Sequence, residues 1–162
     1  MADLVVTITE AVTLNGASRG STNALTIAGV DDIYHRIITC PAADGGISGT
    51  TLVKFSAAVN TVDGAATLDL DNVKYIRVTN LDGSNSVTLS LQVSNDEDGA
   101  ADFSSSILLE AGKSFLMGTP HDGIQVSDAN ANVITTLVDL ESIIADPAGN
   151  DVQVEVFIAS VV

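Results

Sequence analysis

Apolar and polar residues alternate one by one along several stretches of this chain. The clearest examples are VTLSLQVS at 87–94 and VQVEVFI at 152–158, where the apolar residues share one parity. Near the N-terminus, Leu4, Val6, Ile8, Val12 and Leu14 also share one parity. A period of two is typical of a strand with one buried face, so these segments predict half-buried strands of antiparallel sheets.

Turn residues separate the alternating segments. Asn15-Gly16 follows the first segment, and Pro41 ends the strand predicted at 32–40. Ala111-Gly112 predicts a hairpin that joins residues 105–110 to residues 113–118. Residues 133–138 are predicted as a strand, whereas 139–145 fit either a helix or a strand.

The whole pattern amounts to about ten short strands and no long helix. Such spacing favours an all-β fold, which we predict to be an antiparallel β-sandwich of jelly-roll type. No shift in composition marks a linker, so residues 1–162 are predicted to form a single domain.

Charge and composition restrict the partners of this fold. The chain has 162 residues, with 21 Asp and Glu against 6 Lys and Arg, which gives a net charge of −15. Yet 46% of the residues are hydrophobic and the mean hydropathy is +0.35, which excludes an acidic disordered chain. The charge argues against nucleic acid and anionic membranes as partners. The lack of Trp argues against stacking platforms for sugars or bases.

No membrane-spanning run and no secretory signal are visible in the sequence, so we expect production in a reducing cytoplasm.

Residues that could support catalysis are few. The single Cys40 is predicted to be a buried structural thiol, with His35 on the opposite face of the same strand. His121 stands beside Asp122 in a loop, where a solvated imidazole is the simpler interpretation. We find no nucleophile elbow, phosphate loop or zinc motif. The chain is therefore predicted not to be an enzyme, and no catalytic, cofactor-binding or metal-binding residue is assigned.

The acidic segment 95–102 is the best candidate for a cation site. Its oxygen ligands are of the kind that Ca²⁺ prefers: Asn95, Asp96, Asp98 and Asp102. It does not match an EF-hand, because Gly99 comes one position early and Ser106 occupies the place of the closing Glu. A solvated loop is the preferred interpretation, and cation binding is left open. Neighbouring carboxylates elsewhere are expected by chance among 21 acidic residues: Asp31-Asp32, and Asp69 with Asp71.

Basic residues and surplus apolar residues bear on assembly. Lys74 and Arg77 have opposite parity, and they are interpreted as surface charges unless one crosses a subunit boundary to an acidic loop. Lys113 is expected in a turn and Arg19 in a loop.

The terminal strands LVVTITEAV and VQVEVFIASVV carry apolar residues on both faces over part of their length. A symmetric homo-oligomer would bury them, and a trimer is one candidate.

Two segments carry a resemblance to known proteins. They are VKYIRVTNLDGSNSVTLSLQVSND at 73–96 and ILLEAGKSFLMG at 107–118. They resemble small β-rich virion proteins of tailed bacteriophages, in which such a first strand enters a turn and pairs with the alternating strand. The matching residues are 75–80, Asp82, 87–93 and 109–116, and the resemblance covers about a third of the chain. It carries over strands and turns, and no functional residue.

The resemblance implies a virion structural protein. We expect a capsid decoration (cement) protein that oligomerises, binds the major capsid protein across neighbouring subunits and stabilises the head. Its location would be the virion, assembled in the host cytoplasm. The alternatives are a tail or head-fibre component and a receptor- or glycan-binding module. A glycan hydrolase that uses paired carboxylates is the least favoured, because nothing in the sequence indicates a cleft.

Overall fold

Strands account for nearly all regular structure in this computed structural model, which describes residues 1–42, 49–55, 67–93, 103–118, 125–126, 138–147 and 149–161. Fourteen strands and one 3₁₀ turn at Leu70–Asn72 lie within these ranges. Ten strands have five or more residues, which confirms the all-β prediction of about ten strands. In chain order they are β1 (Ala2–Thr9), β2 (Thr13–Leu14), β3 (Ala17–Ser18), β4 (Thr22–Val30), β5 (Asp32–Cys40), β6 (Thr50–Phe55), β7 (Thr67–Leu68), β8 (Val73–Asn80), β9 (Val87–Val93), β10 (Phe103–Leu109), β11 (Ser114–Gly118), β12 (Gln125–Val126), β13 (Val138–Pro147) and β14 (Val152–Ser160).

Ten of these strands form two facing sheets, and the eight longer ones pair in a nested order. The four-stranded sheet has the order β11-β8-β14-β5, and the larger sheet has the order β10-β9-β13-β6-β7, with β12 beside β13. The antiparallel pairs are β5 with β14, β6 with β13, β8 with β11 and β9 with β10. The first of these eight strands pairs with the last, the second with the last but one, and so on, and the pairs are divided between two sheets. This is the jelly-roll arrangement, so the predicted sandwich type is confirmed.

The hairpin predicted across Ala111-Gly112 is wrong. β10 pairs with β9 in the larger sheet, whereas β11 pairs with β8 in the four-stranded sheet. The turn therefore crosses from one sheet to the other. The connection from β8 to β9 crosses in the same way, so these two strands do not pair either. Turn residues predict a change of direction, but they do not show whether the next strand stays in the same sheet.

The core lies between the two sheets and is built from alternating positions. β9 and β14 each bury four residues of one parity, which confirms the two clearest alternations: Val87, Leu89, Leu91 and Val93, with Val152, Val154, Val156 and Ile158. Their buried faces remove apolar surface from water at about 25 cal/mol per Å², which is the main stabilisation of such a sandwich.

Residues 139–145 belong to β13, so the helical alternative is wrong. The pairing of β13 with β9 shifts register between Leu140 and Ser142. This irregularity changes the inward parity, and Leu140 and Ile143 are therefore both buried although they are three residues apart. A spacing of three imitates a helix in the sequence. Of the strand predicted at 133–138, Val138 alone lies in the described ranges.

Residues 1–30 form a two-stranded ribbon that precedes the sandwich. β1 pairs with β4 along its whole length, and β2 pairs with β3 at the far end. Asn15 and Gly16 have φ angles of 52° and 75°, the positive values of a type I′ turn, which confirms the predicted turn. A Cβ at Gly20 would overlap the backbone carbonyl of Glu10, so the close approach of the two ribbon segments at this position requires glycine.

The inner half of the ribbon covers one end of the outer face of the four-stranded sheet. Leu4, Val6 and Leu25 are partly buried there, and Ile27 and Val30 are buried. They pack on side chains of β8 and β14 that point away from the main core: Tyr75, Phe157 and Ala159. The outer face therefore has a second, smaller apolar cluster.

Candidate functional site

The outer half of the ribbon extends beyond this second cluster. Residues 7–24 are all exposed except Gly20, which is half-buried. Ile8, Val12 and Leu14 are 50%, 52% and 59% exposed, so the predicted burial of this parity is wrong beyond Val6. The reason is that the inner half of the ribbon has the sheet beneath it, whereas the outer half lies open to water on both faces.

Exposed apolar side chains are concentrated in this ribbon. Within the described ranges, ten large hydrophobic residues are exposed, and five of them lie in the first fourteen residues: Met1, Val5, Ile8, Val12 and Leu14. A two-stranded hairpin exposed on both faces is marginally stable in water, because it lacks a third strand or a packed layer. The outer ribbon is thus the part of the described structure that gains most from a covering surface.

A cavity opens where the ribbon separates from the sheet, and we name it the wedge. Its volume is about 300 Å³, and β1, β4, β8 and β11 contribute its walls. The lining residues are all uncharged: Val6, Ile8, Asn23, Ala24, Leu25, Tyr75, Leu116, Met117 and Gly118. Ile8 and Leu116 remain 50% and 42% exposed although they line it. The wedge is therefore an open apolar cavity, of the kind that accepts apolar side chains.

Charge is distributed unevenly between this region and the rest of the chain. Residues 1–40 contain four acidic and two basic side chains, a net charge of −2. Residues 41–162 contain seventeen acidic and four basic side chains, a net charge of −13. The ribbon and β5 are consequently the part of the protein on which a like-charged neighbour meets the least repulsion.

A polar network lies beside the ribbon on the outer face of the four-stranded sheet. Glu155 on β14 bonds His35 on β5, with 2.8 Å between Oε1 and Nε2. The other oxygen of Glu155 accepts from Arg77 on β8, with 2.6 Å between Oε2 and Nη1. Arg77 also donates to Thr79, whose hydroxyl meets that of Ser114 on β11 at 2.9 Å. The network thus crosses all four strands of the sheet.

Arg77 therefore pairs within its own chain, so no subunit boundary is needed to provide its acidic partner. β8 lies between β11 and β14, so an acidic partner is available on a neighbouring strand. The Arg77 guanidinium, together with His35, holds the pKa of the Glu155 carboxyl below its usual range. Lys74 is used locally, since its Nζ donates to the Asp71 carbonyl at 2.7 Å.

Cys40 is a structural thiol, as predicted. It is fully buried in the main core, and burial raises the pKa of its thiol. His35 lies on the outer face and is bonded to Glu155, so the two side chains point to opposite sides of β5. A buried, protonated thiol is a poor nucleophile.

Asn80 is a structural residue that the sequence patterns did not reveal. It is fully buried at the end of β8, where the chain leaves the four-stranded sheet. Its Nδ2 donates to the carbonyls of Asn85 and Leu109 at 2.9 and 3.1 Å, and its Oδ1 accepts from the Asp82 amide at 2.9 Å. The side chain therefore joins both crossings between the sheets. The only sequence signal was an Asn at an inward-facing strand position.

The remaining predicted positions have structural roles or lie outside the described ranges. Asp69 caps the 3₁₀ turn by accepting from the Asp71 amide at 3.2 Å. The Lys113 amide closes the turn onto the Glu110 carbonyl, as expected for a turn residue, and Arg19 lies between β3 and β4. His121 and the segment 95–102 fall outside the described residues, so the predictions for them remain untested. Within the described ranges no three His, Cys, Asp or Glu side chains group as metal ligands, and no helix has the length and apolarity to cross a membrane.

Comparison with protein-family models, curated proteins and solved structures finds no match to this chain. The outer half of the ribbon and the wedge are therefore interpreted from their own chemistry.

Proposed function

We propose that this protein is a virion structural protein that oligomerises and decorates a capsid. The observation that carries the proposal is the outer ribbon, which is exposed on both faces and rich in apolar side chains. Such a surface favours protein–protein contact rather than catalysis. The jelly-roll topology is compatible with this role, because capsid proteins use it, although lectin domains and cupins use it too.

The proposed mechanism is interface burial. Copies of the chain associate through apolar surface, and the assembly binds across neighbouring major capsid protein subunits so that they resist internal pressure. The net charge of −15 suits a partner surface with basic character, because an acidic shell would repel the protein. The same charge keeps a decoration protein from adsorbing DNA.

Binding to shells tests this role directly. Purified protein is mixed with expanded, undecorated shells of the major capsid protein from the same virus, then sedimented and imaged by electron cryomicroscopy. We expect co-sedimentation, ordered density on the outer shell surface, and a higher temperature of shell disruption. Binding to isolated tails alone would assign the chain to the tail, and binding to neither would overturn the proposal.

Glycan binding is the competing role, and the described aromatic residues disfavour it. Tyr75 is 6% exposed beneath the ribbon, and Phe157 is partly buried in the same cluster. Sugar sites use open aromatic faces. A glycan array run on the same preparation separates the two roles, and clear binding to one glycan class would favour the receptor-binding alternative.

A further inference from the structure

The ribbon tip and the wedge are two uncovered apolar surfaces of the same chain. We define the tip as residues 10–21, which carry Val12 and Leu14. We propose that the tip of one copy binds in the wedge of a second copy, with Val12 and Leu14 against Ile8, Leu116 and Met117. This inference rests on the self-association in the proposed function and identifies the two surfaces that carry it.

Size and chemistry agree between the two surfaces. Apolar cavities of about 150 Å³ hold one benzene-sized group, so about 300 Å³ accommodates two branched aliphatic side chains. The tip presents two such side chains, Val12 and Leu14, which are 52% and 59% exposed. Both surfaces would then lose water in one contact, and the outer ribbon would gain the packed layer that it lacks.

A chain does not fill its own wedge with its own tip. The wall of the wedge includes Ile8, which pairs with Asn23, and the ribbon remains hydrogen-bonded beyond that pair. The Glu10 amide donates to the Ser21 carbonyl at 2.8 Å, and the Arg19 amide donates to the Val12 carbonyl at 2.8 Å. Leu14 is thus carried about 20 Å along extended strand from Ile8, away from the wedge.

Charge favours a second copy as the occupant. The tip contains one acidic and one basic residue, Glu10 and Arg19, and the described lining of the wedge is uncharged. Two copies can therefore meet here without bringing their acidic parts into direct contact. Because tip and wedge are different surfaces, repetition of the contact generates a closed ring, or a symmetric pair that exchanges two ribbons.

Paired substitutions test the contact through the mass of the assembly. Leu14→Asp alters the tip and Leu116→Asp alters the wedge. Matched controls are Leu108→Asp and Leu81→Asp, because Leu108 is 61% exposed and Leu81 is 43% exposed, close to Leu14 and Leu116. Sedimentation velocity over a concentration series is expected to show dissociation constants about tenfold higher or more for the first two variants, and unchanged values for the controls.

Mixing the two impaired variants provides a test that general destabilisation cannot imitate. The Leu116→Asp copy keeps an intact tip, and the Leu14→Asp copy keeps an intact wedge, so an equimolar mixture should recover a 1:1 dimer. Circular dichroism checks that each variant is folded. If either variant unfolds, Val12→Cys and Leu116→Cys proteins are mixed under mild oxidation instead, and a mixed disulfide is expected that Val12→Cys with Leu108→Cys does not give.

The outcomes separate this inference from the proposed function. A wild-type monomer at high concentration, or an oligomer unaffected by both variants and without recovery on mixing, overturns the tip-and-wedge contact. Loss of the oligomer in the variants with recovery on mixing supports it, even if no shell binds the wild-type protein. If the mixture recovers the oligomer but no shell binds the wild-type protein, the tip-and-wedge contact is supported and the capsid role is rejected.

Discussion

Asn80 joins the two crossings between the sheets, and its removal provides a quantitative test of the fold. The side chain is fully buried and makes three hydrogen bonds, to the carbonyls of Asn85 and Leu109 and to the Asp82 amide. Asn80→Ala leaves these groups without their partner. The Leu109 bond lies in the interior, where water cannot replace the lost donor.

The magnitude follows from this arrangement. Each net hydrogen bond contributes about 1 kcal/mol, and a buried carbonyl left unpaired costs about 1–3 kcal/mol. We expect Asn80→Ala to lower the free energy of unfolding by about 3 kcal/mol, since the groups nearer the surface regain water. Asn80→Asp should cost at least as much, because it replaces the amide donor with a charge that faces two carbonyl oxygens.

Urea unfolding at one fixed protein concentration measures the effect, because self-association would otherwise alter the apparent stability. The matched control is Asn150→Ala. Asn150 is exposed and donates one bond of 3.1 Å to the side chain of Asn85, so its loss should cost less than about 0.5 kcal/mol. A loss below about 1 kcal/mol for Asn80→Ala would refute the role assigned to this residue.

Three further predictions concern the ribbon, the polar network and the buried thiol. Gly20→Ala should accelerate amide exchange in the outer ribbon by about tenfold or more without affecting β8, because the added Cβ meets the Glu10 carbonyl; unchanged exchange would contradict this. Glu155→Gln should lower stability by about 1 kcal/mol at pH 7. The pKa of Glu155 is lowered in the folded state, so this difference persists above the usual glutamate pKa and should vanish as the pH falls through the lower folded value; a pH-independent difference would argue against the ion pair. Cys40 should react with a thiol reagent only when the protein unfolds, and rapid labelling of the native protein would show that its burial is incomplete.

The fold class was predictable because strand alternation and burial have the same physical origin. One parity of β9 and of β14 is buried, as the sequence indicated, and Asn15-Gly16 adopts the turn that its dipeptide favours. Such signals are local. They concern which face of a strand is apolar and where the chain reverses.

Those signals did not predict which of the two sheets each strand joins. Ala111-Gly112 supports a change of direction equally well within one sheet or between two, and the choice depends on which strands already occupy the core. The irregularity in β13 misled for a related reason, since one shifted residue turns a spacing of two into a spacing of three. Asn80 was hidden because a buried Asn is recognised by its partners, and its partner in the interior, the Leu109 carbonyl, lies 29 residues away in the sequence.

Part of the candidate site was visible in composition but could not be located there. A mean hydropathy of +0.35 beside a net charge of −15 indicated more apolar surface than one chain buries. Nothing in the alternating pattern separates Val12 and Leu14 from Val6, since all three share one parity. The structure separates them, because the sheet beneath the ribbon ends between these positions.

The segregation of charge would allow so acidic a chain to associate with itself in the way proposed above. If fifteen net negative charges were spread evenly, every apolar contact between copies would bring acidic groups together at short range. Among the residues that the structure describes, seven of the ten exposed large hydrophobic side chains instead lie in the first 40 residues, where the net charge is −2. Acidic groups that lie farther apart than the Debye length of about 8 Å repel each other little, because physiological salt screens them. The charge therefore restricts which surfaces of two copies can come into contact, but it does not prevent the copies from associating.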